Sequence, residues 1–170
     1  MDEAHLHDPF RTGSNVLGER SIGVVVPARN EEDFIRKVLE TLPEFVDIVV
    51  VVDDGSTDAT RLIAEQTNTS YQLHILSTDG EGVGGAIDAG HQFLLKNCSH
   101  PFISVVMAGD GQMNPEDMSG LIYPIIRGEA EYVKGNRFKH HKGLQTMPKH
   151  RQVASRILAT FTSLAAGQSI

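Results

Sequence analysis

VVMAGDGQMNP, residues 105–115, begins as an apolar run and ends as a polar loop with one carboxylate and one amide, Asp110 and Gln112. An apolar run that ends in acidic and glycine residues is typical of a parallel strand at the point where it leaves the core. Ligands of open α/β sheets bind beyond the carboxyl ends of the strands. The segment therefore predicts a parallel sheet with a ligand site at its edge.

The rest of the chain alternates between strand and helix patterns. Continuous β-branched runs predict buried strands, and apolar residues at helical spacing predict the helices between them. The predicted order is strand 22–26, helix 34–42, strand 48–52, helix 59–66, strand 72–76, a glycine-rich turn 80–85, helix 86–94, strand 103–107, helix 115–126 and strand 132–134. Asn30, Ser56 or Thr57, and Pro115 are the expected helix-start residues. This order predicts an α/β fold, a Rossmann-like three-layer αβα sandwich around a mainly parallel sheet.

Length and composition indicate one domain. The chain has 170 residues, 40% of them hydrophobic, which is enough to bury a core. We expect residues 1–20 to form a tail and residues 21–170 to form the domain, with a ligand-binding part at about 21–135. A second part begins at about 136, and the lack of an evident closing element suggests that it is truncated. No run has the length of a membrane span, residues 1–10 do not resemble a signal peptide, and Cys98 has no cysteine to pair with. We therefore expect a cytoplasmic protein.

The charges are segregated along the chain. All 22 acidic residues lie in residues 1–131, whereas residues 132–170 hold 7 Lys and Arg and no acid. The basic end predicts a surface that faces phosphate, an anionic lipid surface or the acidic part of the same fold. The net charge of -7 argues against a nucleic-acid partner. Apolar residues at 153–164 have the spacing of an amphipathic helix. This helix could pack on the core or under a membrane surface.

Three loops follow the first, second and fourth predicted strands: PARNEE, DDGSTD and AGDGQMNPED. In the second loop, Asp53 or Asp54 could accept hydrogen bonds from a base or a ribose hydroxyl, although such residues also cap helices. The chain has neither a G-x-G-x-x-G after the first strand nor a phosphate-binding G-x-x-x-x-G-K-[ST]. A bound nucleoside diphosphate would therefore need a divalent cation. Mg²⁺ or Mn²⁺ prefers oxygen ligands, which Asp110 and Gln112 could supply.

The order and spacing of VVVPARNEE, VVVVDDGSTD, EGVGGAIDAG, VVMAGDGQMNPED and KGNRF resemble family 2 glycosyltransferases with a GT-A fold. Within that family the chain is most similar to the dolichol-phosphate mannose synthase-like polyprenyl-phosphate glycosyltransferases. The resemblance covers residues 22 to about 155. It implies an inverting, metal-dependent transfer of a sugar from a GDP-mannose or UDP-glucose type donor to a polyprenyl or dolichyl phosphate, in cell-envelope or glycan biosynthesis.

The resemblance also implies site residues. The nucleotide would be bound by Pro27, Ala28, Arg29, Glu31, Asp53, Asp54, Gly84 and Gly85. Asp110 and Gln112 would bind the metal and, with Arg137, act in catalysis. The donor diphosphate or the acceptor phosphate would be held by Arg137, Arg151 and Ser155. Because the acceptor is a lipid phosphate, the resemblance places the protein peripherally at the cytoplasmic face of a membrane, and a homo-oligomer is left open.

One position departs from the family pattern. The family has an acid two residues before Asp110, where this chain has Ala108. Loss of a carboxylate beside a divalent cation weakens its binding. Two alternatives to the polyprenyl-phosphate reaction stay open. One is transfer to a sugar or protein hydroxyl, which needs a carboxylate base such as Asp117. The other is a nucleotide-sugar-binding module without activity.

Overall fold

The computed structural model describes residues 20–98 and 101–135. The chain divides into two units, residues 1–133 and 134–170, and the elements below belong to the first. In chain order they are β1 (Ser21–Ala28), α1 (Ile35–Glu40), β2 (Ile48–Asp53), α2 (Thr60–Gln66), β3 (Gln72–Ser77), α3 (Gly82–Asn97), β4 (Phe102–Val106), a 3-10 turn (Pro115–Asp117) and α4 (Met118–Ile126).

The described strands form one parallel sheet in the order β3-β2-β1-β4. The register pairs Ala28 with Asp53 and Asp53 with Ser77, so β1, β2 and β3 end level with one another. In a right-handed β-α-β unit the helix runs back across the sheet, and the next loop again opens at the carboxyl edge. The loops after β1, β2 and β4 therefore lie at one edge of the sheet.

Both faces of the sheet are buried. One face packs against α1, α2 and α4, where Ile35, Leu39 and Ile122 are almost fully buried. The other packs against α3 through Ala86 and Leu94. Burial on both sides is why β1 and β2 read as unbroken β-branched runs rather than as alternating ones. The predicted α/β fold with three layers is confirmed.

Helix α3 lies unusually close to β1. A Cβ atom added at Gly90 would lie 2.3 Å from Val25 Cγ1, and one added at Gly23 would lie 2.8 Å from Leu94 Cδ1. Glycines on both elements thus allow the backbones to approach. These contacts hold the middle and the C-terminal half of α3 against β1, and hydrogen bonds from the Glu81 and Gly82 amides to Asp54 hold its start at the carboxyl edge of the sheet.

Several local predictions were wrong. Residues 132–134 form no strand, because this short segment has no strand neighbour in the described part and Tyr132 is 79% exposed. Asn30 does not cap α1, which begins at Ile35, and neither Ser56 nor Thr57 caps α2; these side chains bond between loops instead. Four of the six residues of the predicted turn 80–85 are helical, since α3 begins at Gly82.

The other predicted strands and helices are present. Strand β1 runs through Pro27 to Ala28 rather than ending at residue 26. The N-terminal tail up to residue 19, the basic loop and the helix predicted at 153–164 lie outside the described residues.

Candidate active site

A cleft of about 360 Å³ opens at the carboxyl edge of the sheet, between the loops after β1, β2 and β4 and the first turn of α3. It brings together six of the residues that the sequence resemblance assigned to the nucleotide or the metal, and it adds five others. The lining residues are Pro27, Ala28, Arg29, Glu31, Asp54, Gly82, Val83, Ala86, Ala108, Gly109 and Asp110.

Asp54 joins the end of β2 to the start of α3. Its Oδ1 accepts hydrogen bonds from Thr78 Oγ1 (2.6 Å) and the Glu81 amide (2.8 Å), and its Oδ2 accepts one from the Gly82 amide (2.9 Å). The Thr78 hydroxyl is the main cause that lowers the pKa of Asp54, and the two amides and the Arg29 guanidinium lower it further against the opposing effect of burial. Asp54 is therefore an ionised anchor in the cleft wall.

Asp53 lies beside this anchor but is not among the lining residues. It is buried, and its Oδ1 accepts a hydrogen bond from the Ser56 amide at 3.1 Å. This bond closes the turn after β2, a use of aspartate that is common in turns. The structure thus gives the two adjacent acids different surroundings, with Asp54 facing the cleft.

Arg29 and Glu31 bring opposite charges to the cleft. Arg29 Nη1 lies 3.9 Å from Asp54 Oδ2, and the Arg29 side chain is 58% exposed. Burial raises the pKa of Glu31, and the negative charges of Asp110 and Asp58 raise it further. Because Glu31 and Asp110 both bring carboxylates to the lining, this part of the cleft suits cations.

The loop after β4 packs against the end of β1. The Gly109 amide donates a hydrogen bond to the Pro27 carbonyl oxygen (3.1 Å), and a Cβ added at Gly109 would lie 3.1 Å from Ala28 Cβ. Asp110 follows in the cleft wall, and its Oδ1 accepts a hydrogen bond from the Gln112 amide at 3.0 Å. Gln112 itself is exposed and does not line the cleft.

The residues present fit a divalent cation only if the substrate supplies most of its ligands. The described residues contain no group of three or more His, Cys, Asp or Glu side chains arranged to hold a metal. Mg²⁺ is often held by one or two carboxylates together with substrate phosphates and water, and this donor set is compatible with Asp110 facing an open cleft. Asp110 is the protein ligand that such an ion would use.

The glycine-rich segment enters the cleft two residues earlier than the resemblance implied. Gly82 and Val83 line the cleft, whereas Gly84 and Gly85 do not. The φ of Gly82 is +80°, a left-handed conformation that favours glycine, and its amide is bound by Asp54. Four lining residues were not predicted from the sequence: Gly82, Val83, Ala86 and Gly109. The resemblance pointed to Gly84 and Gly85, and the motif does not show that α3 begins at Gly82.

Two further groups of residues were predicted for the site. Arg137, Arg151 and Ser155 are outside the described residues, so their assignment to phosphate stays a prediction. Asp117 is exposed in the first turn before α4 and does not line the cleft. In the described part of the chain, no helix is both long enough and apolar enough to cross a membrane.

Comparison with known proteins gives consistent matches along most of the chain. The model of a family described as "Glycosyl transferase family 2" matches residues 23–168. The chain is 31% identical over 166 residues to the UDP-N-acetylglucosamine--dolichyl-phosphate N-acetylglucosaminyltransferase of Methanococcus voltae, covering 89% of this chain and 65% of that protein. It is 27% identical over 154 residues to the polyprenol monophosphomannose synthase of Mycolicibacterium smegmatis, covering 86% and 56%. The chain thus spans less than two thirds of the length of these relatives.

Solved structures with a similar fold include enzymes bound to nucleotides. Glucosyl-3-phosphoglycerate synthase from M. tuberculosis aligns with a TM-score of 0.52 and 26% identity, covering 67% of this chain and 43% of that chain. The same enzyme in complex with Mg²⁺ and uridine diphosphate aligns with a TM-score of 0.53 and 26% identity, covering 67% and 42%.

Proposed function

The chain belongs to glycosyl transferase family 2, and we propose that it is the donor-binding part of an enzyme that moves a sugar from a nucleoside-diphosphate sugar to a polyprenyl phosphate, with inversion. The observation that carries this proposal is the cleft. It gathers Arg29, Glu31, Asp54 and Asp110 from three separate loops at the edge of the sheet where α/β proteins bind nucleotides.

The two ends of the cleft suit the two ends of the donor. We assign the base and ribose to the part formed by the β1 and β2 loops and the first turn of α3. We assign the diphosphate to the part beside Asp110. A divalent cation held by Asp110 would supply positive charge to the departing diphosphate. Arg29, which reaches the cleft with an exposed side chain, adds a second positive group.

The names of two relatives support the acceptor. One is a dolichyl-phosphate transferase and the other a polyprenol monophosphomannose synthase. A phosphate monoester carries nearly its full charge near neutral pH, so it can attack the anomeric carbon without a strong general base. The acid-free segment 132–170 would receive the lipid phosphate at a membrane surface.

A transfer assay tests the proposal. The protein is incubated with radiolabelled GDP-mannose, UDP-glucose or UDP-N-acetylglucosamine, Mn²⁺ and a short polyprenyl phosphate in detergent, and the lipid fraction is counted. We expect label in the lipid with one donor, its loss with EDTA, and an anomeric configuration opposite to that of the donor. No transfer from any donor by a folded protein that binds nucleotide would contradict the proposal.

Ala108 favours a second candidate, a nucleotide-sugar-binding module without transfer. It lines the cleft at the position where the family has an acid. The variant Ala108→Asp separates the two functions, with Val83→Asp as a control that adds the same charge at an exposed position of the lining. An active enzyme transfers sugar with Ala108 in place. A binding module turns over only after Ala108→Asp, or in neither form.

A further inference from the structure

The loop after β1 turns at Asn30, whose φ is 56°. Asn30 is the only non-glycine residue with a positive φ in the part of the chain that the structure describes. Asparagine adopts this left-handed conformation more readily than other residues with a Cβ, because its short side chain can form local hydrogen bonds. The residues on either side, Arg29 and Glu31, both line the cleft, but Asn30 does not.

Asn30 is bonded to the loop after β2 through both its backbone and its side chain. Its amide donates to Ser56 Oγ at 3.0 Å. Its Oδ1 accepts from the Thr57 amide at 2.8 Å and from Thr57 Oγ1 at 3.3 Å. These bonds connect residues 26 and 27 positions apart, so they join two loops rather than closing one turn.

The bonds continue through the next two residues. The Glu31 amide donates to Thr60 Oγ1 at 2.7 Å, and the Thr60 hydroxyl donates to Asp58 Oδ1 at 2.5 Å. The Glu32 carboxylate accepts from the Ala59 amide at 2.9 Å. Thr60 is fully buried, whereas Asn30 is exposed. Packing therefore holds this set of hydrogen bonds at Thr60, and Asn30 holds it at the exposed end, next to Arg29.

We propose that Asn30 is a positioning residue for the nucleotide-sugar site: its side-chain oxygen fixes the β1 loop to the β2 loop, which aims Arg29 and Glu31 into the cleft. The inference rests on the proposed function, because it names how that site is held in shape. Asn30 would not touch the donor. Its loss should weaken nucleotide binding through Arg29 and Glu31 while the sheet stays folded.

The test compares substitutions that remove different properties of Asn30. Asn30→Ala removes the oxygen and disfavours the left-handed backbone, Asn30→Gly removes only the oxygen, and Asn30→Asp keeps both but adds charge. Asn97→Ala is the matched control, since the exposed Asn97 side chain also makes a hydrogen bond to the backbone, donating to the Phe93 carbonyl oxygen at 2.8 Å, but lies at the far end of α3. UDP and GDP are titrated calorimetrically with Mn²⁺ at about 0.3 M salt, which screens the added charge.

We expect Asn30→Ala and Asn30→Gly to weaken binding about tenfold, and Asn30→Asp and Asn97→Ala to stay within about threefold of wild type. Hydrogen exchange of the Thr57 amide, measured without nucleotide, should accelerate in the Ala and Gly variants only. Circular dichroism checks folding, and Asn30→Gly decides the outcome if Asn30→Ala unfolds.

The failures are distinguishable. Wild-type affinity in Asn30→Gly would overturn the positioning role and leave the proposed function standing. Weak binding by Asn30→Asp as well as by the other two would overturn the role of the side-chain oxygen. Failure of the wild type to bind either nucleotide would overturn the proposed function, and the inference with it.

Discussion

The two sides of the cleft differ in how they are held. On the side of the β1 and β2 loops, hydrogen bonds join residues 24 to 29 positions apart, among them those made by Asn30, Glu31 and Asp54. Beyond Gly109, the hydrogen bonds described for residues 110–117 connect positions no more than three apart, such as that from the Gln112 amide to Asp110. One side is cross-linked to neighbouring loops by several hydrogen bonds, whereas the bonds described for the other side beyond Gly109 are local.

The difference suggests that the two sides of the cleft bind different parts of the donor. A preorganised wall binds a rigid group without an ordering cost, which suits a base and a ribose. A loop with only local bonds can adjust to ligands that arrive together, which suits a metal ion and a diphosphate. If this account is correct, changes on the Asp110 side should affect the reaction more than the fold, and changes on the other side should affect both.

The largest effect should come from Asp110→Asn. The amide oxygen can still accept the Gln112 hydrogen bond, but the charge that attracts a divalent cation is lost. We expect transfer to fall by about 100-fold or more with little change in thermal stability. Glu116→Gln, which neutralises an exposed acid in the same loop, should leave transfer close to wild type. Equal losses in both variants would contradict a specific role for Asp110.

A smaller effect, on stability, should come from glycines of α3. Gly90→Ala would place a Cβ 2.3 Å from Val25 Cγ1 and force α3 away from β1, at a cost of about 1–3 kcal/mol. Gly84→Ala is the matched variant, since its Cβ would meet no atom within 4 Å and alanine favours a helix by about 1 kcal/mol. Urea unfolding measures both.

The same pair tests the assignment of Gly84 to the nucleotide. If Gly84→Ala stabilises the protein and keeps full affinity for UDP or GDP, close approach of the donor to Gly84 is excluded. Weaker nucleotide binding by a stabilised Gly84→Ala protein would support the assignment made from the family resemblance.

The smallest effect should be the pH dependence that Asp54 contributes. Because hydrogen bonds lower the pKa of Asp54 in the folded protein, its contribution to stability is complete above the unfolded value and is lost as the pH falls through the lower folded value. Between about pH 6 and about pH 3, wild type should therefore lose more stability than Asp54→Asn. Asp88→Asn, a change at an exposed acid of α3, should follow wild type. Parallel curves for all three proteins would refute the anchor role.

Much of the fold could be predicted from the sequence because burial leaves a periodic pattern. Strands β1 and β2 are buried on both faces, so their β-branched runs predicted them as strands. The GT-A fold implied by the resemblance is confirmed. The strand predicted at 132–134 is wrong because a three-residue pattern does not show whether a neighbouring strand exists. Strand pairing is a property of the assembled sheet.

The site was less predictable than the fold. The strand-end pattern predicted that the three loops lie together, because parallel strands bring their ends to one edge, and the family resemblance assigned Arg29, Glu31, Asp54 and Asp110 to the site. These four residues line one cleft, and their roles there stay predictions. Asn30 was misread as a helix cap, since the same residue types serve caps and contacts between loops. A choice between these roles depends on distances across more than twenty residues, which local sequence does not encode.

We propose that this cleft binds a nucleoside diphosphate together with a divalent cation held by Asp110. Calorimetric titration of UDP and of GDP into wild type and Asp110→Asn, each with Mn²⁺ and with EDTA, tests it most directly. We predict binding of at least one nucleotide by wild type, a marked loss of affinity in EDTA, and no effect of EDTA on the residual binding of Asp110→Asn. Nucleotide binding with the same metal dependence in both proteins would contradict the claim.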